Sequence, residues 1–190
     1  MVGECGARKI ELYQMILVHN DSFSGVSLPS TRYGVFYHLK KTPSAKLVAM
    51  RSSDGPGKAS DVLFDKNTTT CGTEEKEHSW WCFDLGEKNL LFITHCALKN
   101  RDSDPLLRKW QLQGSTDGRK WTVLKTGEKQ LKTDRSFITA TWPVESKVTA
   151  FRYFRINQIS TNSFGKYGIH LSGVELYGVL LDARQGMNVS

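Results

Sequence analysis

No segment of this sequence is long and apolar enough to cross a bilayer as a helix; the most hydrophobic runs, at 15–18 and 90–93, are far too short. Residues 1–10 likewise lack the extended apolar run of a signal peptide. Cysteine is scarce, with four in 190 residues at positions 5, 71, 82 and 96, and none forms a CxxC pair. Cys82, between Trp81 and Phe83, and Cys96, closing an apolar run, read as small buried hydrophobes. Four cysteines would allow two disulfides, but without a secretory leader the expectation is reduced thiols in a cytoplasmic or nuclear protein. The Asn-x-Ser/Thr triplets at Asn67 and Asn188 carry no weight by themselves.

Catalytic signatures are missing too. The chain has no P-loop, Gly-x-Ser-x-Gly, His-Glu-x-x-His or Gly-x-Gly-x-x-Gly motif. Its five histidines, at 19, 38, 78, 95 and 170, are scattered, and His95 lies inside an apolar run. The expectation is a protein that is not an enzyme. Nor does a zinc finger, a helix-turn-helix charge pattern or a glycine-rich aromatic stripe accompany the positive charge, so no specific nucleic-acid partner is expected.

What remains is a chain that can bury a core: 39% of residues are hydrophobic, 24% charged, and the length suits one domain. The formal charge of +7 is spread out and favours weak attraction to acidic partners or anionic surfaces. Strand-sized apolar segments recur at 9–18, 47–51, 80–85, 90–98, 107–114, 121–124, 137–142, 151–159 and 174–180. At 80–85 the alternation is clearest, with Trp81, Phe83 and Leu85 on one face and Trp80, Cys82 and Asp84 on the other. A short helix or turn fits the stretch around residues 33–46, and one helical turn fits 61–64. Turn residues crowd 52–57, Ser115-Thr116-Asp117-Gly118 reads as a hairpin turn, and 65–77 reads as a long polar loop. No helical period lasts, which argues for a sandwich or barrel over alternating α/β units. The domain is expected to span 1–181, with a flexible tail at 182–190.

Four landmarks, in order, carry a family likeness. Trp80-Trp81-Cys82-Phe83-Asp84-Leu85-Gly86 comes first, then the run from Trp110 through Ser115-Thr116-Asp117-Gly118 to Trp121-Thr122-Val123. Phe151-Arg152-Tyr153-Phe154-Arg155-Ile156 and Leu171-Ser172-Gly173-Val174-Glu175-Leu176-Tyr177-Gly178 complete the set. This resembles the discoidin, or coagulation factor 5/8 type C, domain family over about 35–180. The resemblance implies an all-β fold, an antiparallel jelly-roll β-sandwich of about eight strands of the galactose-binding-domain-like kind, with ligand loops gathered at one end. Extracellular members join their termini by a disulfide, which this cysteine distribution forbids. Gly34-Val35-Phe36-Tyr37-His38-Leu39 resembles intracellular members found beside BTB or ubiquitin-ligase modules. The implied function is therefore a non-catalytic intracellular module recognising a protein or peptide through loops at one end of the sandwich, as a substrate-recognition or scaffolding domain of a ubiquitin-ligase-related protein. The alternative is a lectin-like module for carbohydrate or a phospholipid headgroup.

The family's ligand loops fall here at 52–60, 67–78, 99–104 and 162–167. They offer His78, Arg101, Asp102, Phe164, Lys166 and Tyr167 as ligand-binding candidates, each weighed against an ordinary solvated loop residue. Phe164 beside Lys166 is the one feature comparable to a membrane-binding spike. No cofactor is expected beyond a weak calcium site, for which Asp61, Asp65, Asn67 and Thr70 are oxygen ligands of suitable hardness; Asx turns are the competing reading. Trp81 and Trp121 read as core aromatics, and one of Arg152 and Arg155 is expected to pair with Asp84.

Overall fold

The computed structural model describes residues 13–18, 34–63, 70–101, 103–128, 137–145 and 148–183. In chain order the strands are β1 (Tyr13–Val18), β2 (Val48–Arg51), β3 (Cys71–Gly72), β4 (Trp80–Asp84), β5 (Asn89–Arg101) and β6 (Lys109–Ser115). They continue as β7 (Thr122–Glu128), β8 (Phe137–Pro143), β9 (Tyr153–Gln158), β10 (His170–Leu171) and β11 (Gly173–Ala183). Helix α1 (Val35–Lys41) precedes β2, and a 3-10 turn (Ala59–Leu63) follows it. Among the described residues no helix is long and apolar enough to cross a membrane.

One sheet has the order β1-β11-β5-β8 and a second the order β2-β4-β9-β6-β7, with a two-stranded β10-β3 ribbon beside them. Every pairing is antiparallel. The expectation of an antiparallel all-β sandwich holds. Eleven strands are found among the described residues, against the eight expected, partly because β3 and β10 are two residues each and leave no periodic trace. Strand β5 also runs through Arg101, paired with Phe137 of β8, where 99–105 was expected to be loop. At the far end β11 continues to Ala183, three residues beyond the apolar segment at 174–180, because β1 pairs with it there.

One core cluster takes residues from both large sheets. Trp81, Phe83, Leu112, Phe154 and Ile156 enter from the five-stranded sheet, and Leu91, Leu98, Leu176 and Leu180 from the four-stranded one. Alternation on β4 is as expected: Trp81 and Phe83 are fully buried, while Trp80 and Asp84 are half-buried on the opposite face. Helix α1 joins the core through Val35, Phe36 and Leu39, with the Phe36 ring 5.0 Å from that of Phe83. Cys71, Cys82 and Cys96 are buried; Cys5 lies outside the described residues.

Arg152 supplies the expected ion pair. Its Nε and Nη2 donate to the two carboxylate oxygens of Asp84 at 2.7 and 2.8 Å, a fork-to-fork geometry that fixes direction as well as charge. The side chains remain 23% and 17% exposed, so solvent screens the pair, and its loss would cost less than that of a fully buried one. Trp121 departs from expectation. It is half-buried on the outer face of the sheet, stacked under the Arg155 guanidinium at 4.2 Å from the ring centroid, because it precedes β7 rather than sitting on its inward face.

Candidate functional site

Four loops meet at one end of the molecule, and backbone donors knit them together. The loop after β2 is held to β3 by Gly55 N donating to Gly72 O at 3.2 Å, and by Glu74 N donating to Ser53 Oγ at 3.1 Å. The segment before β10 joins the loop before β4 through Thr73 N to Ile169 O and Ile169 N to Thr73 Oγ1. The β5–β6 connection is tied to the β9–β10 loop by reciprocal bonds of Leu106 and Ser163 at 2.9 Å. Asp104, nearly buried, accepts from Thr70 Oγ1 at 2.7 Å and from Arg101 N at 3.0 Å.

Arg51 anchors the assembly from below. Its guanidinium donates to the carbonyls of Pro56, Gly57 and Gly72 and to Asp54 Oδ1, with the side chain only 7% exposed and lying over the Trp81 ring. An arginine can do this because its planar fork presents several donors at fixed angles.

The β9–β10 loop is braced from within. Asn162, buried, accepts at Oδ1 from the backbone N–H groups of Phe164 and Lys166 and donates from Nδ2 to Gly168 O. Its own N–H donates to Lys166 O at 2.7 Å and its carbonyl accepts from Gly165 N. An Asn that closes a turn on both its own backbone and its side chain makes a stiff tip. That tip carries Phe164, 65% exposed. Beside it Lys166 Nζ reaches Glu75 Oε1 at 2.9 Å, joining the tip to the loop before β4.

The sequence candidates distribute as follows. Phe164, Lys166 and half-buried Tyr167 share the braced tip. His78 stands exposed in the adjoining loop with φ of 59°, a left-handed conformation uncommon outside glycine and seen more often in His, Asn and Asp than in other side chains. Arg101 is exposed at the end of β5 and meets this end of the molecule through Asp104 rather than through its guanidinium. Asp102 lies outside the described residues. Of the calcium set, Asp65 and Asn67 also lie outside them. Asp61 accepts from Lys58 N inside the 3-10 turn, and Thr70 is committed to Asp104. No group of three or more His, Cys, Asp or Glu among the described residues is placed to hold a metal ion. Sequence reasoning missed Arg51, Asn162, Glu75 and Asp104. Only Asn162 carried a signal, an Asn followed three residues later by Gly within a polar loop.

His170, one of the five scattered histidines, sits at the root of this loop end. Its ring lies against Gly72, and its carbonyl accepts from Asn100 Nδ2 at 2.6 Å. Burial pushes the imidazole pKa down, outweighing the opposing pull of Asp104 and Glu75. A histidine depressed in the folded state takes up its proton first in the unfolded chain. Its contribution to stability is therefore complete above the ordinary histidine value of about 6.5 and declines as pH falls below it toward the lower folded value. Urea midpoints measured between about pH 7.5 and 5 should fall with acidity, and His170→Gln should flatten part of that fall; an unchanged slope in the variant would refute the assignment.

Comparison with known proteins follows from this architecture. Residues 47–171 match the model of the F5/8 type C domain. The chain is 38% identical over 135 residues to the E3 ubiquitin-protein ligase hecd-1 of Caenorhabditis elegans, covering 66% of this chain and 5% of that protein. It is 34% identical over 145 residues to the E3 ubiquitin-protein ligase Ufd4 of Drosophila melanogaster, covering 70% and 5%. The chain thus spans about one twentieth of the length of these relatives. Among solved structures, CpGH89CBM32-5 from Clostridium perfringens, in complex with GalNAc-β-1,3-galactose, superposes with a TM-score of 0.56 at 17% identity, covering 70% of this chain and 95% of that one. The family 32 module of C. perfringens NanJ, in complex with galactose, gives 0.55 at 15% identity, covering 69% and 93%. At these identities the structures establish the likeness of fold.

Proposed function

The chain belongs to the F5/8 type C domain family, and we propose that it is a non-catalytic recognition module whose loop end binds carbohydrate. The observation that carries this reading is Phe164, two-thirds exposed on a turn that Asn162 holds stiff, with the Lys166–Glu75 pair beside it and His78 exposed in the loop that carries Glu75. A sugar offers an apolar C–H face and a rim of hydroxyls. An aromatic ring fixed in advance stacks on the first without paying to be ordered, and charged or polar neighbours bind the second. Carbohydrate complexes of folds like this one, with galactose and GalNAc-β-1,3-galactose, lend support.

A second reading is favoured by the relatives rather than by the loop geometry. Two ubiquitin ligases carry a segment similar to this chain, which supports a cytoplasmic or nuclear substrate-recognition or scaffolding role using the same loops on a protein. A glycan array probed with the wild-type domain and with Phe164→Ala separates the two, with phosphatidylserine vesicles as a third arm. Carbohydrate binding predicts sugar-selective retention that weakens about tenfold or more in the variant. A blank array, or retention indifferent to Phe164, would overturn it. Because the ring is largely in solvent, the variant should keep its thermal midpoint.

A further inference from the structure

The outer face of the five-stranded sheet carries a row of side chains that the loop-end reading leaves unused. Register places Met50, Cys82, Arg155, Gln113 and Val123 side by side, one from each strand in the order β2-β4-β9-β6-β7. Its two ends are open and apolar: Met50 is 38% exposed and Val123 43%, with Val48 beside Met50 on the same edge strand at 45%. Its centre is a cation. Arg155 donates from Nε to Gln113 Oε1 at 2.8 Å and lies on the Trp121 ring. No carboxylate among the described residues pairs with it.

The contrast with its neighbour is chemical. Arg152 has Asp84 in a two-point grip, which consumes the carboxylate on that part of the face. Among the described residues Arg155 has a neutral amide and an aromatic face. Cys82 cannot serve as its anion, because burial raises that thiol to about 11. Desolvation pushes the Arg155 guanidinium down, against a smaller opposing pull from Cys82. The guanidinium is therefore held in one plane, by Gln113 at Nε and Trp121 beneath, and among the described residues its Nη donors have no hydrogen-bond acceptor. A guanidinium in that state matches a carboxylate in both charge and shape.

We propose that this face docks an acidic segment of a partner protein, a Glu or Asp carboxylate engaging the Nη edge of Arg155 while flanking aliphatic side chains pack on Met50 and Val123. A protein segment fits better than an acidic sugar. The face of Trp121 that would stack a pyranose is already covered by Arg155, and the exposed ends of the row are a thioether and an isopropyl group, suited to aliphatic contacts. The net charge of +7 favours approach of an acidic chain.

The probe is acetyl-Leu-Glu-Leu-Glu-Leu-amide, titrated into the isotope-labelled domain and followed by NMR at the Arg155 Nε and Val123 methyl resonances. Saturable shifts at these positions are expected. The peptide with Gln in place of Glu, and the variant Arg155→Gln, should each weaken binding about tenfold or more. Arg155→Lys, which keeps the charge and loses the fork, should bind at an intermediate level, and Met50→Ser combined with Val123→Ser should weaken it without lowering the thermal midpoint. Phe164→Ala should leave it unchanged, so failure here and failure at the loop end are distinguishable. The proposal is overturned if the Gln peptide binds equally, if shifts map to 162–168, if glucuronate binds Arg155 as well as the peptide does, or if millimolar peptide moves nothing.

Discussion

Gly178→Ala should lower the stability of the domain by about 3–5 kcal/mol, and the thermal midpoint by about 10 °C. The residue occupies φ of 153° at the point where the pairing of β11 with β5 slips register, from Tyr177 opposite His95 to Gly178 opposite Ile93. A Cβ there would lie 2.0 Å from the Phe92 carbonyl oxygen and 3.0 Å from Ile93 Cα. Both obstacles are backbone atoms of a strand that itself pairs with β8, so neither can swing aside as a side-chain tip would. Strand β11 in turn pairs with β1 on its other edge, and a shift to relieve the clash would disturb both ladders. Urea denaturation with an unchanged m-value would report the loss as stability. A cost below about 1 kcal/mol would show that the bulge relaxes freely and that the glycine is dispensable.

The same bulge shows what the sequence could and could not disclose. Alternation at Trp80–Asp84 was legible because one face meets the core and the other does not, so burial writes a period of two into the residues. The turn at Ser115–Gly118 was legible for a local reason: Ser115 Oγ accepts from Asp117 N and Gly118 N, all within four residues. Gly178 was visible as a landmark, but its purpose depends on Phe92, a strand partner remote in sequence. Trp121 was assigned to the core on aromatic character alone. Its place outside follows from a guanidinium on β9 that covers its ring, which no local pattern announces.

The loop end divides along the same line. The four loops expected to carry function do converge, since strand order places their ends together. What joins them into one surface rather than four loose connections is a set of bonds from single side chains to distant backbone and side-chain groups. Arg51 reaches Gly72, Asp104 holds Thr70, and Asn162 closes its own turn. The first two span 21 and 34 residues and leave no motif. Candidate residues chosen for exposed chemistry, such as Phe164 and Lys166, stand on a braced loop, while those that hold that loop in place left no motif.

Removing the carboxylate of Glu175 should have a comparably large effect by a different route. Helix α1 starts at Gly34 with no side-chain cap of its own, which leaves its first N–H groups without intrahelical acceptors. Glu175, only 2% exposed on β11, supplies them: Oε1 accepts from Phe36 N at 2.7 Å and Oε2 from Tyr37 N at 3.1 Å, across more than 130 residues of chain. Its Oε1 also accepts from Leu176 N at 2.9 Å. A negative group at this end also complements the helix dipole, while His38, Lys40 and Lys41 complement the other end. Gly34 makes room for the arrangement, since a Cβ there would overlap the Glu175 side chain. Glu175→Ala leaves buried donors unpaired and opens a cavity beneath the helix, at a cost of about 3–4 kcal/mol. Glu175→Gln keeps the volume but replaces one acceptor with a donor that faces an N–H, so it should cost about half as much. Hydrogen exchange gives the site-specific readout. In both variants the amides of Phe36 and Tyr37 should lose protection before those of β4 and β9 do. Uniform loss across the sheets, or none at Phe36, would show that α1 is held by its apolar face and not by this carboxylate.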